Sequence, residues 1–367
     1  MKLPLHAAGG QQTNPRSQSL DVLRGIAVLL VLCRHYTAAM GFGWCGVDLF
    51  FVISGFLISG LLLSDYKKTG TIHAKRFWIR RGFKIYPAFY TLILLTVIVF
   101  LFRAHTVPVA ILGDIFFLQN YGPKVWDHGW SLAIEEHFYF ALPLLLMLLA
   151  RIGKGKTNPF RSIPLISIAA TIVCLYLRVV ASRTAPDWDH MAQPTHLRLD
   201  TLFVGVAIGY YAHFDQDSFR EARKKRVLVL GLLLALIALV LPISVILGFT
   251  FASLGFGCIV AWAANREGSR NLLARLVAWI GYYSYSIYLW HAAIVVALYY
   301  LPHPWFLFPV YLAGCVLTGV FAAKLIELPM IRVRDRLFPS IQKPTTIEPQ
   351  RIGLQTPLLV GQPEIPT

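Results

Sequence analysis

Residues Asp21 to Tyr36 read DVLRGIAVLLVLCRHY, an apolar helical pattern long enough to enter a membrane that nevertheless carries Arg24, Arg34 and His35. Ionisable groups in hydrocarbon are costly, so they settle in a protein interior or a wet cavity and usually have work to do there. Arg24 and His35 lie eleven residues apart. At about 100° per residue that is roughly three turns, so both point in nearly the same direction, separated by about 16 Å along the axis. One helix face thus offers a permanent cation near one end and an imidazole near the other. Plainer roles are open to the same groups. Arg24 can anchor a cytoplasmic end, Arg34 can snorkel to an interface, and His35 can bond a neighbouring carbonyl.

Outward from this stretch, the 367 residues are 56% hydrophobic and only 14% charged, with a mean hydropathy of +0.60. A soluble chain of this length carries far more charge. Several apolar runs approach or exceed the roughly 18 residues that cross a hydrocarbon core, and they are too continuous for a membrane barrel. An all-α, polytopic integral membrane protein with about ten transmembrane helices is expected. The five cysteines have no metal-type or disulfide-type spacing, and no metal site is expected. No cleavable signal peptide is apparent.

The expected order is a disordered lead (1–18), a ten-helix membrane domain (19–330) and a disordered tail (331–367). Spans fall near 19–41, 46–65, 87–103, 130–150, 162–181, 199–213, 227–243, 245–264, 277–300 and 306–327. Residues 66–86 alternate basic and aromatic side chains and read as a separate interfacial helix. Residues 109–121, VAILGDIFFLQNY, are too short to cross and read as re-entrant or interfacial. Basic residues crowd every alternate loop, at 66–86, 151–161, 214–226 and 265–275 and again in the tail, whereas the opposite loops offer mainly Arg103, Lys124 and Arg183. The positive-inside rule therefore sets both termini on the cytoplasmic side. It also reads the net charge of +16 as topology, with no nucleic-acid partner; membrane lipid is the surrounding solvent. Asp48, Glu135 and Glu136 then lie in the outer parts of their spans with His35. Arg198 and Asp200 look like a pair at the membrane edge and His137 like a structural residue, while His291, in YLWH, reads equally as a packed polar residue or as a ligand.

The stretches LDVLRGIAVLLVLCRHY, GVDLFFVISGFLISGLLL, FWIRRGFKIYPAFY, WSLAIEEHFYFALPLLL, RLDTLFVGVAIG and YSYSIYLWH follow in order between residues 20 and 291. Together they resemble the acyltransferase-3 family of bacterial membrane sugar O-acyltransferases. The resemblance implies ten spans with cytoplasmic termini in the bacterial inner membrane. It also implies transfer of an acyl group, usually acetyl from cytoplasmic acetyl-CoA, to a hydroxyl of a cell-surface or lipid-linked glycan such as lipopolysaccharide. The family's Arg-x10-His pair falls on Arg24 and His35. Its basic Arg-x-x-Arg element falls on Arg81 and Lys84, where lysine keeps the charge but loses the bidentate fork; Arg76 or Arg80 can substitute. Some relatives carry a fused SGNH hydrolase-like domain, for which the short tail leaves no room.

Such chemistry needs a general base for the acceptor hydroxyl, and His35 has the right kind of side chain; it can instead take the acyl group itself. Arg24 is a candidate for holding the donor or its oxyanion. Asp48 or Glu135 can orient the imidazole. Arg76, Arg80, Arg81 and Lys84 can hold the donor's phosphates, with Phe77, Trp78 and Phe83 flanking its adenine. A transporter or flippase of a lipid-linked saccharide is the alternative, since intramembrane ionisable groups also gate transport; no internal repeat stands out, which weighs against it.

Overall fold

The computed structural model describes residues 17–36, 38–184, 187–240, 245–298 and 305–339. The expected lead up to residue 16, the turn around Pro242 and the tail from residue 340 lie outside them. All regular structure among the described residues is helical. Six helical stretches are long and apolar enough to cross a membrane, and the protein is a helical membrane protein.

The principal helices are α1 (Gln18–Tyr36), α2 (Cys45–Thr69), α3 (Ala74–Ala104), α4 (Trp130–Ile152), α5 (Ile163–Ala181) and α6 (Leu199–Phe214). They continue with α7 (Lys225–Val240), α8 (Val245–Ala264), α9 (Leu272–Tyr282), α10 (Ser284–Leu298), α11 (Phe308–Ala322) and α12 (Leu328–Leu337). Helices α6 and α7 are 16 residues each, and α1 carries Asp21, Arg24 and Arg34. The six long stretches thus leave these three aside.

Three segments differ from the sequence expectation. Residues 74–86 do not form a separate interfacial helix, because they open α3, a single helix of 31 residues that runs through Pro87. At about 1.5 Å per residue α3 is some 47 Å long, well beyond a hydrocarbon core of about 30 Å. Its basic first turns extend past the apolar layer without needing an element of their own. The expected span at 277–300 is two helices, α9 and α10, parted at Tyr283. The chain beyond residue 331 is ordered to the end of α12, which follows α11 through a π-helical segment, Ala323–Glu327. Arg80 ties α12 to α3 through Asp335, 3.0 Å away, and Phe83 packs on Phe338.

The core is built by close helix crossings. Helices α2 and α6 meet at Gly55 and Gly205, where a Cβ would fall 2.0 Å from the Leu202 carbonyl oxygen and 2.2 Å from that of Val52. Small residues are what allow this approach between membrane helices. Helix α9 crosses α1 in the same manner: a Cβ on Gly281 would fall 1.8 Å from the Asp21 carbonyl oxygen. Between α2, α3, α4 and α6 the apolar interior is filled by Phe51, Phe89, Phe138, Tyr139, Leu202 and Val206.

Candidate functional site

Helices α1, α2, α3, α4 and α10 enclose a cavity of about 130 Å³. Its polar wall includes Arg24, Ser54, Arg81, Lys84, Glu135 and Tyr288. Of the cations on α3, Arg81 and Lys84 line it, while Arg76 and Arg80 are drawn elsewhere by their contacts. Arg80 is engaged by Asp335 and by the Phe338 carbonyl. Arg76 lines a separate groove with Lys75, Trp78, Leu144 and Met147. Of the four residues expected to hold a donor, two therefore reach the cavity and two face away. The expected adenine-flanking rings are committed to packing: Phe77 is buried, Trp78 stacks on Phe140 at 5.1 Å, and Phe83 lies against Phe338.

The polar groups of the cavity wall are held by one another and by side chains packed behind it. Arg81 donates to the Tyr139 hydroxyl at 2.5 Å, with its guanidinium carbon 4.1 Å from that ring's centre. Tyr139 donates in turn to Ser54 at 3.3 Å, and Ser54 donates to Glu135. Glu136, one residue on, faces Tyr86, whose hydroxyl donates to it at 3.1 Å. Tyr285 donates to the Ile85 carbonyl at 2.7 Å and fixes α10 to α3. Tyr288 donates to the His128 carbonyl at 2.8 Å.

His35 sits at the far end of α1 from Arg24, on exposed surface. Its Nδ1 is 3.1 Å from the Val31 carbonyl and 3.1 Å from Nε2 of His291. His291 is fully buried on α10. The Tyr288 ring, on the cavity wall, has its centre 5.6 Å from that of His291 and so adjoins both the cavity and the histidine pair. His137, read as structural, bonds Thr195 at 2.7 Å.

Neither carboxylate expected to orient the imidazole does so. Asp48 is 0% exposed and forms an ion pair with Arg198, whose guanidinium carbon lies 3.7 Å from the centre of the Phe249 ring. Asp200 pairs instead with Arg178 at 2.5 Å. The expected Arg198–Asp200 pair does not form, because residues two apart at a helix start point away from one another. The neighbour of His35 that sequence reading missed is His291. Nothing local could reveal it: the two lie 256 positions apart, and only the YLWH stretch marked it as polar within an apolar run. Among the described residues no group of three or more His, Cys, Asp or Glu side chains is arranged to hold a metal ion.

Comparison with known proteins bears on this arrangement. The sequence profile of the acyltransferase-3 family, described as an acyltransferase domain, matches residues 17–326. The chain is similar to the peptidoglycan O-acetyltransferase OatA of Listeria monocytogenes, 28% identical over 309 residues that cover 76% of this chain and 49% of the relative. A putative O-acetyltransferase of Staphylococcus aureus is 31% identical over 306 residues, 75% of this chain and 50% of that protein. The putative peptidoglycan O-acetyltransferase YrhL of Bacillus subtilis is 30% identical over 310 residues, 76% and 48% of the two chains. The chain thus spans about half the length of these curated relatives. No solved structure matches.

Proposed function

The chain belongs to the acyltransferase-3 family, and from that premise we propose that it is a membrane O-acetyltransferase. It moves an acetyl group from acetyl-CoA to a hydroxyl of a cell-surface or lipid-linked glycan. The observation that carries this is the cavity in which Arg81 and Lys84 of α3 converge with Arg24 of α1, the helix that ends near His35. Three cations in one enclosed space suit a donor rich in phosphate, which arginine and lysine hold by charge-assisted hydrogen bonds.

The protein crosses the bacterial inner membrane about ten times with both termini cytoplasmic; the alternation of basic loops supports that arrangement. Acetyl-CoA enters from the Arg24 end, with Arg81 and Lys84 at its phosphates and Arg24 along its pantetheine arm. A gap of about 16 Å between Arg24 and His35 suits donor positioning better than contact with the reacting carbonyl. Glu135 balances the cations of the cavity. At the outer end His35 takes the proton of the acceptor hydroxyl as its oxygen bonds the thioester carbon. The carbon–sulfur bond breaks, and the proton passes to the departing sulfur, giving the acetyl ester and CoA. The names of two relatives make peptidoglycan the first acceptor to try.

Purified protein supplied with labelled acetyl-CoA and peptidoglycan fragments should release CoA and form labelled ester. His35→Ala should abolish both. Lys84→Ala should raise KM for acetyl-CoA about tenfold or more, the usual weight of a hydrogen bond to a charged group. Undiminished turnover in His35→Ala would remove the base. Movement of labelled saccharide across a liposome membrane with no ester formed would favour transport instead.

A further inference from the structure

The two histidines that meet between α1 and α10 constrain one another's protons. Each Nδ1 faces a main-chain carbonyl of its own helix: that of His35 faces Val31, at 3.1 Å, and that of His291 faces Tyr288. A carbonyl oxygen only accepts, so each ring must carry its proton on Nδ1. The opposite tautomer would set a nitrogen lone pair against a carbonyl lone pair at both places. With Nδ1 of His291 protonated, its Nε2 is bare and accepts. That bare nitrogen lies 3.1 Å from Nδ1 of His35. The His35 N–H is therefore shared between the Val31 carbonyl and His291, and the Nε2 of His35 is left with its lone pair outward.

We propose that His291 is the positioning residue of the reaction: it holds His35 in the Nδ1–H tautomer and accepts from it when Nε2 has taken the substrate proton. This rests on the assignment of His35 as general base. The logic is that by which a third group orients a catalytic imidazole, with a neutral histidine in place of a carboxylate. Asp48, the carboxylate nearest in sequence, is occupied by Arg198. A neutral acceptor suits this site because His291 is fully buried, where an ionised partner would be costly. The acceptor is itself fixed. His128 packs against the His291 ring, 5.2 Å between centres. Tyr288, which supplies the carbonyl, is held by its hydroxyl to the His128 carbonyl and to Ser131. Hydrogen bonds to a charged group are about twice as strong as neutral ones, so the contact counts for more in the transition state than in the resting enzyme.

Two substitutions separate this role from packing. His291→Asn keeps an N–H donor near Nδ1 for Tyr288 but removes the atom at Nε2. His291→Gln can return an acceptor oxygen to the Nε2 place. With acetyl-CoA and peptidoglycan fragments, His291→Asn should lower kcat about 10- to 100-fold with little change in either KM. His291→Gln should recover most of the loss. Equal turnover in the two variants, or wild-type kcat in His291→Asn, would overturn the proposal. A third measurement does not depend on whether the variants fold. Nitrogen-15 NMR of histidine-labelled wild-type protein, with His35 identified by its absence in His35→Gln, should show neutral His35 protonated on Nδ1. Protonation on Nε2 would overturn the proposal. Full activity in His35→Ala would overturn the base assignment and this inference together. An inactive His35→Ala beside an unimpaired His291→Asn would sink the inference alone.

Discussion

Asp48 and Glu135 are both carboxylates among apolar neighbours, yet they stand in opposite situations. Glu135 is half-buried on a cavity wall with three cations around the same space. Asp48 is sealed between α2 and α6 against Arg198, and Arg178 and Asp200 complete a buried quartet of alternating charge. Removing one member of a buried pair leaves the other charge uncompensated, at a cost on the order of 3–5 kcal/mol. Asp48→Asn should therefore lower the thermal unfolding midpoint in detergent by several degrees. Arg24→Ala, which touches the cavity but not the quartet, should leave that midpoint near wild type while removing activity. A melting curve of Asp48→Asn superimposable on wild type would show that the quartet holds nothing together. The separation of Arg24 and His35 along α1 was legible at this scale because the rise per residue alone relates them. Asp48 was misread for a related reason: nearness along the chain across a turn says nothing about which helix a side chain faces.

At the level of elements, the junction of α9 and α10 decides whether the histidines meet. The chain parts at Tyr283, two residues after the Gly281 crossing, so α10 starts from a point set by the contact of α9 with α1. A Cβ at residue 281 would fall 1.8 Å from backbone oxygen, which no side-chain movement relieves. Gly281→Ala must push α9 away from α1 and carry α10 with it. Overpacking of this kind costs about 1–3 kcal/mol. The expected result is a moderately destabilised protein whose kcat falls at least as far as in His291→Asn, because the His35 contact is stretched; wild-type kcat would show that α10 is positioned by something other than this crossing. The sequence offered a glycine here within one long apolar run. A run of that kind does not announce a break, since Tyr283 is neither proline nor glycine and continues the apolar pattern. The fusion of the interfacial segment into α3 was hidden for the converse reason. A change in composition from basic to apolar looks like an element boundary, but a helix backbone is indifferent to it as long as no residue breaks the hydrogen-bond ladder.

For the whole molecule, the cavity is the product of five helices drawn from residues 24 to 288, and no local pattern in the chain encodes it. What the chain does encode is direction. Basic residues recur in alternate loops of the proposed ten-span order, and such a bias is what sets orientation in helical membrane proteins. If the proposed ten-span order is right, Lys154, in the loop after α4, and Arg183, just past the end of α5, lie on opposite faces of the membrane although one helix separates them. Single cysteines at these two positions, in a background with Cys33, Cys45, Cys174, Cys258 and Cys315 replaced by serine or alanine, make the test direct. A membrane-impermeant maleimide applied to intact spheroplasts should label the cysteine at 183 and spare that at 154; lysis should expose both. The same assay at Lys84 should report protection until lysis, and protection by acetyl-CoA after it, because that side chain lines the cavity where the donor is proposed to sit. Labelling of residue 154 in intact cells would reverse the orientation, and with it the side from which a cytoplasmic thioester could reach Arg24.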